Sequence, residues 1–308
     1  MYLEHFGLRE IPFTITPDTS FFYAYGSHVE ALNTLLVAVR SGEGFIKIVG
    51  EVGTGKTLLC RKFLNTLRSE FVTAHIHNPY LEPMTLLLAV ADELRIKYPA
   101  TINQHQLLKL LTKALIDFYA AGKRVVLCLD EVQAMPEQTL ETLRLLTNLE
   151  TEKRKLLQVV LFGQPELDML LDLPSVRQLK QRIGFSYNLR PLDREGMEGY
   201  IAHRLLVAGY AGRRLLSPAV LNELFRASRG IPRLINILCH KSLIAAFGQG
   251  ARSVRHEHMQ LAIKDTIDVY AATKPAWRAF LNAALTLAAL IALGLVAYHY
   301  FNGKWPLP

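Results

Sequence analysis

Acidic and basic residues are absent from Ala279 to Gly303, although the 308-residue chain is 20% charged overall. Such a gap excludes a solvated surface helix or loop over that stretch. Cysteine is scarce as well. Cys60, Cys128 and Cys239 each sit in an apolar pattern, which argues against a disulfide-stapled scaffold and for buried, reduced thiols. The start, Met1-Tyr2-Leu3-Glu4-His5, lacks the basic region and continuous apolar run of a secretory signal. No internal repeat, low-complexity tract or helix-turn-helix pattern is visible. The net charge of +8 is spread along the chain, so the signal for nucleic acid is weak.

What is present is more specific. Gly50, Glu51, Val52, Gly53, Thr54, Gly55, Lys56 and Thr57 fill the pattern G-x-x-x-x-G-K-[ST] directly after the apolar run Phe45–Val49. Leu58 then opens a helix-like segment. Glycines let backbone N–H groups turn inward around phosphate oxygens, and the helix offers its positive end. Lys56 is expected to reach the β- and γ-phosphates, and the Thr57 hydroxyl to ligate Mg²⁺.

A second run, Val125–Leu129, ends in Asp130-Glu131, as a buried parallel strand carrying two carboxylates at its ligand-facing end. Asp130 is expected to hold Mg²⁺ through its water shell, and Glu131 to orient and polarise the attacking water. The adjacent Glu favours hydrolysis of a nucleoside triphosphate over kinase-type transfer. No Asn-Lys-x-Asp signature for guanine occurs, so the expected nucleotide is ATP. The next strand, Leu157–Phe162, leads to Gln164, which would hydrogen-bond the same water if the two strands are neighbours. Arg233 stands in the first turn of a helix, where the dipole repels a cation. An anionic partner such as a γ-phosphate would account for it. Arg177, Arg182 and Arg190 lie near the fifth strand, and Arg182 is preferred as an arginine acting on a neighbouring subunit's nucleotide. Tyr23 and Tyr25 are candidates to flank the adenine.

Strands alternate with helices up to Pro191, and helices alone follow. Strands are expected at 45–49, 72–77, 125–130, 157–162 and 185–189. Intervening helices are expected at 57–69, 84–97, 104–121, 137–152 and 175–182. The organisation is thus an α/β nucleotide-binding domain over residues 1–190, an all-helical domain over 191–272, a transmembrane helix over 279–301, and a tail over 302–308. The charge-free stretch supplies the roughly 20 apolar residues a bilayer requires, with Trp277, Tyr298, Tyr300 and Trp305 at its edges. Arg252, Arg255, Lys264, Lys274 and Arg278 precede it and only Lys304 follows, which orients the bulk of the chain toward the cytoplasm. Ala284, Ala288 and Ala292 form a small-xxx-small row suited to helix association.

Taken together, Gly50–Thr57 as Walker A, Asp130-Glu131 as Walker B, Gln164 as sensor 1 and Gly230–Arg233 as sensor 2 resemble the AAA+ ATPases. Within that class the chain is similar to the ExeA (general secretion pathway protein A) family. The resemblance rests on Phe6–Phe13, Pro17-Asp18, Tyr23, Leu161–Leu167 and Gln181-Arg182-Ile183. It implies a P-loop NTPase (AAA+) fold with helices on both faces of a parallel sheet, a helical lid, and ATP with Mg²⁺. It also implies a homo-oligomer, with a hexamer the usual state of the class, at the bacterial inner membrane with the ATPase domain cytoplasmic. Partners would be the pilus or secretion machinery. Many members carry a periplasmic peptidoglycan-binding domain, and with its end at Pro308 this sequence is closer to the shorter members of type IV pilus biogenesis. Two other readings remain at this level: a DNA-associated AAA+ ATPase of the transposition-helper type, and a nucleotide-gated scaffold with little turnover.

Overall fold

A computed structural model describes residues 2–77, 80–147 and 155–266, together with Leu293, Leu295 and Tyr298. Five strands, β1 (Phe45–Gly50), β2 (Phe71–Ile76), β3 (Arg124–Leu129), β4 (Leu157–Gly163) and β5 (Ile183–Leu189), form one parallel sheet in the order β2-β3-β4-β1-β5. All five were expected from the sequence. Side chains alternate across the sheet as the two-residue period requires. Val125, Leu127 and Leu129 face one apolar layer, while Val126 and Cys128 face the other. β1 and β4 are buried nearly end to end, whereas β5, at the edge, alternates half-buried and exposed residues.

The helices are α1 (Tyr2–Phe6), α2 (Ser27–Ser41), α3 (Lys56–Thr66), α4 (Pro83–Glu93), α5 (Gln104–Ala120), α6 (Glu137–Leu146), α7 (Glu166–Leu171) and α8 (Arg177–Lys180), followed by α9 (Arg194–Val207), α10 (Pro218–Ser228), α11 (Pro232–Gly248) and α12 (His256–Lys264). One sheet face is covered by apolar residues of α4 to α8, the other by α2 and α3. α9 to α12 build a separate helical unit around a third apolar cluster. Several helices are shorter than their periodicity predicts. α4 stops at Glu93 because Arg95 takes a left-handed φ of 57°, and the 175–182 helix is reduced to α8 after a 3-10 turn at Pro174–Val176. α1 and α7 have no counterpart in the periodicity because each is under two turns long.

The first residues do not pack where the sequence places them. Tyr2, Phe6, Leu8, Phe13 and Phe21 bury their side chains in the helical unit's core, not in the sheet's layers. Apolar content alone does not specify which core a short N-terminal segment joins. The three cysteines are free and buried. The 279–301 segment expected to cross a membrane, and the 302–308 tail, lie outside the described residues except for Leu293, Leu295 and Tyr298, which are helical and exposed. Among the described residues no helix is long and apolar enough to cross a membrane.

Candidate functional site

The sheet order brings the carboxyl ends of β3, β4 and β1 side by side, and the chemistry converges there. After Gly50 the chain turns through Gly53 at φ +81° and Gly55 at φ +100°, a region glycine enters freely, and α3 begins at Lys56. Its amino end and the inward N–H groups point into the loop. Thr54 is fully buried and its Oγ1 donates to the Glu51 carbonyl at 2.8 Å, which fixes the turn. Lys56 Nζ donates to the carbonyls of Gly50 at 2.8 Å and Glu51 at 3.1 Å. Burial pushes this ammonium's pKa down, against the upward pull of Glu131, Asp130, Glu51 and Glu166.

Opposite the loop, Thr57 Oγ1 donates to Asp130 Oδ2 at 2.6 Å, while Asp130 Oδ1 accepts from the Glu131 N–H at 3.0 Å. Asp130 is buried. A hydroxyl and a carboxylate in contact at a helix amino end are the hard oxygen donors that Mg²⁺ takes. Glu131 has φ +54° and ψ +38°, a left-handed conformation costly for a residue with a side chain and frequent at working sites. Its Oε2 accepts from Gln164 Nε2 at 2.9 Å and from Gln133 Nε2 at 2.6 Å. Burial pushes the Glu131 carboxyl up, but those amides and the Lys56 charge together hold it below the usual range. Gln164 therefore meets Glu131, with β3 and β4 paired in register.

The helical unit closes the site from above. Arg233 is the second residue of α11, its N–H donates to the Gly53 carbonyl at 3.1 Å, and a Cβ on Gly53 would stand 2.6 Å from that of Arg233. Loop and helix meet with no space for a side chain. A cavity of about 370 Å³ lies between them, containing Lys56, Thr57, Leu58 and Glu131, walled by residues 14–18 and roofed by Tyr200, Arg204, Arg233 and Asn236. Arg204 is buried, stacks on Phe21 at 4.4 Å, and donates to the Pro12 carbonyl, Thr14 Oγ1 and the Tyr200 hydroxyl. Asn236 Nδ2 donates to the Thr14 carbonyl at 2.9 Å. The 12–18 segment is thereby bound to the helical unit.

Two expected residues, Tyr23 and Tyr25, stand away from the cavity. They stack on each other at 5.6 Å, against Gly199 and Gly196 of α9. Residues 14–18 line the cavity instead. Arg182 precedes β5, opposite the amino end of β1, since Phe45 pairs with Ile183 and Gly50 with Leu189. At about 3.3 Å per residue it is some 20 Å from its own phosphate loop. It lies within electrostatic reach of Glu141.

His28 is a residue the motifs do not reveal. It rises from α2 beneath the loop, with Nε2 2.8 Å from the Thr54 carbonyl and Nδ1 buried without a partner. The nitrogen facing a carbonyl must carry a proton, and a second proton on the buried, partnerless Nδ1 is disfavoured. Burial lowers its pKa below 6.5, the Thr54 carbonyl opposing the shift, and burial acts likewise on His203 and His240. The unfolded chain thus takes up these protons first. Stability is full above about pH 6.5 and is lost as pH falls through the lower folded values. Urea midpoints should fall between pH 7.5 and 5.5, and less so in His28→Gln; equal slopes in the two proteins would discount His28.

A P-loop after the first strand, acids after the third, a polar amide after the fourth and a helical cap define an AAA+ nucleotide-binding protein. Residues 39–171 match the family model described as an AAA domain. Over 98% of its length the chain is 42% identical to General secretion pathway protein A of Aeromonas hydrophila, of which it spans 55%. The chain belongs to the ExeA-like AAA+ ATPase family, over about half the length of that relative. Solved structures share the fold. Cdc6p of Pyrobaculum aerophilum matches with TM-score 0.63 at 20% identity, over 80% of this chain and 70% of that one. The Aeropyrum pernix ORC1 protein in complex with DNA matches with TM-score 0.59 at 19% identity, over 82% and 68%.

Proposed function

We propose that this chain hydrolyses ATP and, anchored in the bacterial inner membrane by residues 279–301 with its ATPase part in the cytoplasm, drives assembly of a type IV pilus or secretin machine. The observation that carries the hydrolytic reading is the convergence of Lys56, Thr57, Asp130, Glu131 and Gln164 in and beside one cavity. Lys56 exchanges the two loop carbonyls for phosphate oxygens. Thr57 and Asp130 would hold Mg²⁺, which would neutralise charge on the phosphates. Glu131 accepts a proton from water as the water oxygen bonds to the γ-phosphorus, and the bond from that phosphorus to the bridging oxygen breaks to release ADP. Gln164 orients the water, and Arg233 carries the nucleotide state into the helical unit. Arg182, distant from its own loop, serves the neighbouring subunit in a homo-oligomer. The membrane anchor and the machinery partner are supported by the charge-free 279–301 segment and by the resemblance to General secretion pathway protein A.

Glu131→Gln keeps the shape of the side chain and removes the proton acceptor. Turnover should fall by about a hundredfold or more while ATP still binds; unchanged turnover would show that Glu131 is not the base. Cross-linking of the same variant in native membranes tests the partner. Recovery of pilus or secretin subunits supports the assembly role, and recovery of DNA or of this chain alone opposes it.

A further inference from the structure

Gln133 lies in the 3-10 turn Val132–Ala134, two residues past Glu131, and its amide is shared between two parts of the hydrolytic site. Nε2 donates to Glu131 Oε2 at 2.6 Å, and Oε1 accepts from the Gln164 backbone N–H at 3.0 Å. Gln164 Nε2 closes the ring onto the same Glu131 oxygen at 2.9 Å. Two amides therefore occupy one carboxylate oxygen, and among the described residues no hydrogen bond engages the other, Oε1. A glutamate side chain has several free torsions, and here the donors that restrict them come from the two glutamines.

We propose that Gln133 is a positioning residue: it ties the Glu131 carboxylate to the end of β4 and presents Oε1 as the free acceptor for the attacking water. The proposal rests on Glu131 acting as the base. A purely structural role, fastening the turn to the sheet, would depend on the volume and packing of the side chain. A positioning role depends on the donor. The two are separated by Gln133→Met, which keeps length and volume and removes both hydrogen bonds.

The test measures steady-state ATP hydrolysis and ATP binding for Gln133→Met, Glu131→Gln and the double variant, all in the full chain. Gln133→Met should lower kcat by about tenfold or more with KM and nucleotide affinity within about twofold, since only the transition state uses the aimed oxygen. Added to Glu131→Gln, it should cost nothing further in single-turnover hydrolysis, because residues acting as a unit are not additive. Wild-type kcat in Gln133→Met, a KM rising in step with the fall in kcat, or additive losses would overturn the proposal. Where the methionine variant fails to fold, Gln133→Glu keeps the acceptor toward Gln164, loses the donor, and should show the same split. If Glu131→Gln itself hydrolyses ATP normally, it is the assignment of the base that fails.

Discussion

Lys56→Met should lose nucleotide binding while leaving the free protein at least as stable as wild type. Lys56 is 5% exposed, and its hydrogen bonds go to two backbone carbonyls. No ion pair among the described residues engages it, although Asp130, Glu131, Glu51 and Glu166 lie within electrostatic reach. A desolvated ammonium held by neutral dipoles is a poor arrangement without phosphate, and burial lowers its pKa accordingly. Methionine fills the channel of the aliphatic stem without the charge, so the free fold no longer bears that desolvation. With nucleotide present the balance reverses. Two charge-assisted hydrogen bonds at about 1.5–3 kcal/mol each amount to a loss of roughly a hundredfold or more in affinity. Titration with a fluorescent ATP analogue and a thermal melt without nucleotide check both halves. Retained affinity would remove Lys56 from the site, and collapse of the free protein would make it a structural residue.

Gly230→Ala should be among the most destabilising single substitutions in the chain. Gly230 follows α10 at φ +75°, directly after Arg229 at φ +53°, so the turn into α11 holds two consecutive left-handed residues. A Cβ at Gly230 would stand 1.8 Å from the Leu192 carbonyl oxygen and 2.9 Å from its carbon. Both are backbone atoms, which no rotamer can move aside. The Leu192 N–H also donates to the Gly230 carbonyl at 2.9 Å, so relief of the clash breaks this pairing as well. Steric exclusion, left-handed strain and a lost buried hydrogen bond together should cost about 3 kcal/mol or more. Displacing α11 also shifts Arg233 from Gly53, so nucleotide affinity should weaken in the same protein. Gly248→Ala at the other end of α11 is the control: a Cβ there meets nothing within 4 Å, and the change should stay within about 0.5 kcal/mol. Similar denaturation midpoints for the two variants would refute the account.

The parts of this site that could be read from the sequence are those whose chemistry is local. Gly50–Thr57 and Asp130-Glu131 each carry their role within a few residues, next to strands whose apolar runs announce themselves. Gln164 needed one further condition, that β4 lie beside β3, and the register of the sheet supplies it. The rest depends on pairings across long stretches of chain. Arg204 reaches Pro12 and Thr14, and Asn236 reaches Thr14 across 222 positions. No periodicity encodes which core the Tyr2–Phe21 segment will join, and its place in the chain points to the sheet domain while its side chains pack in the helical unit. Tyr23 and Tyr25 show the same limit. They are aromatic and close to the nucleotide domain, yet Gly196 and Gly199 open a flat surface on α9 that takes the rings instead. Nothing in the sequence beside Gln133 gives meaning to an amide in a short turn. Its significance comes from two contacts that exist only after folding.

Because residues 2–21 belong with α9 to α12, the backbone crosses between the helical unit and the sheet at two places, near Gly26 and between Leu189 and Leu192. These crossings are fastened to each other, the Ser27 hydroxyl donating to the Arg190 carbonyl at 3.0 Å. A body suspended from one strand of chain can swivel in any direction. Suspended from two joined strands, it keeps a single easy axis, like a door on paired pins. On the side away from those pins, the Arg233 N–H on the Gly53 carbonyl is the latch that joins the helical unit to the phosphate loop.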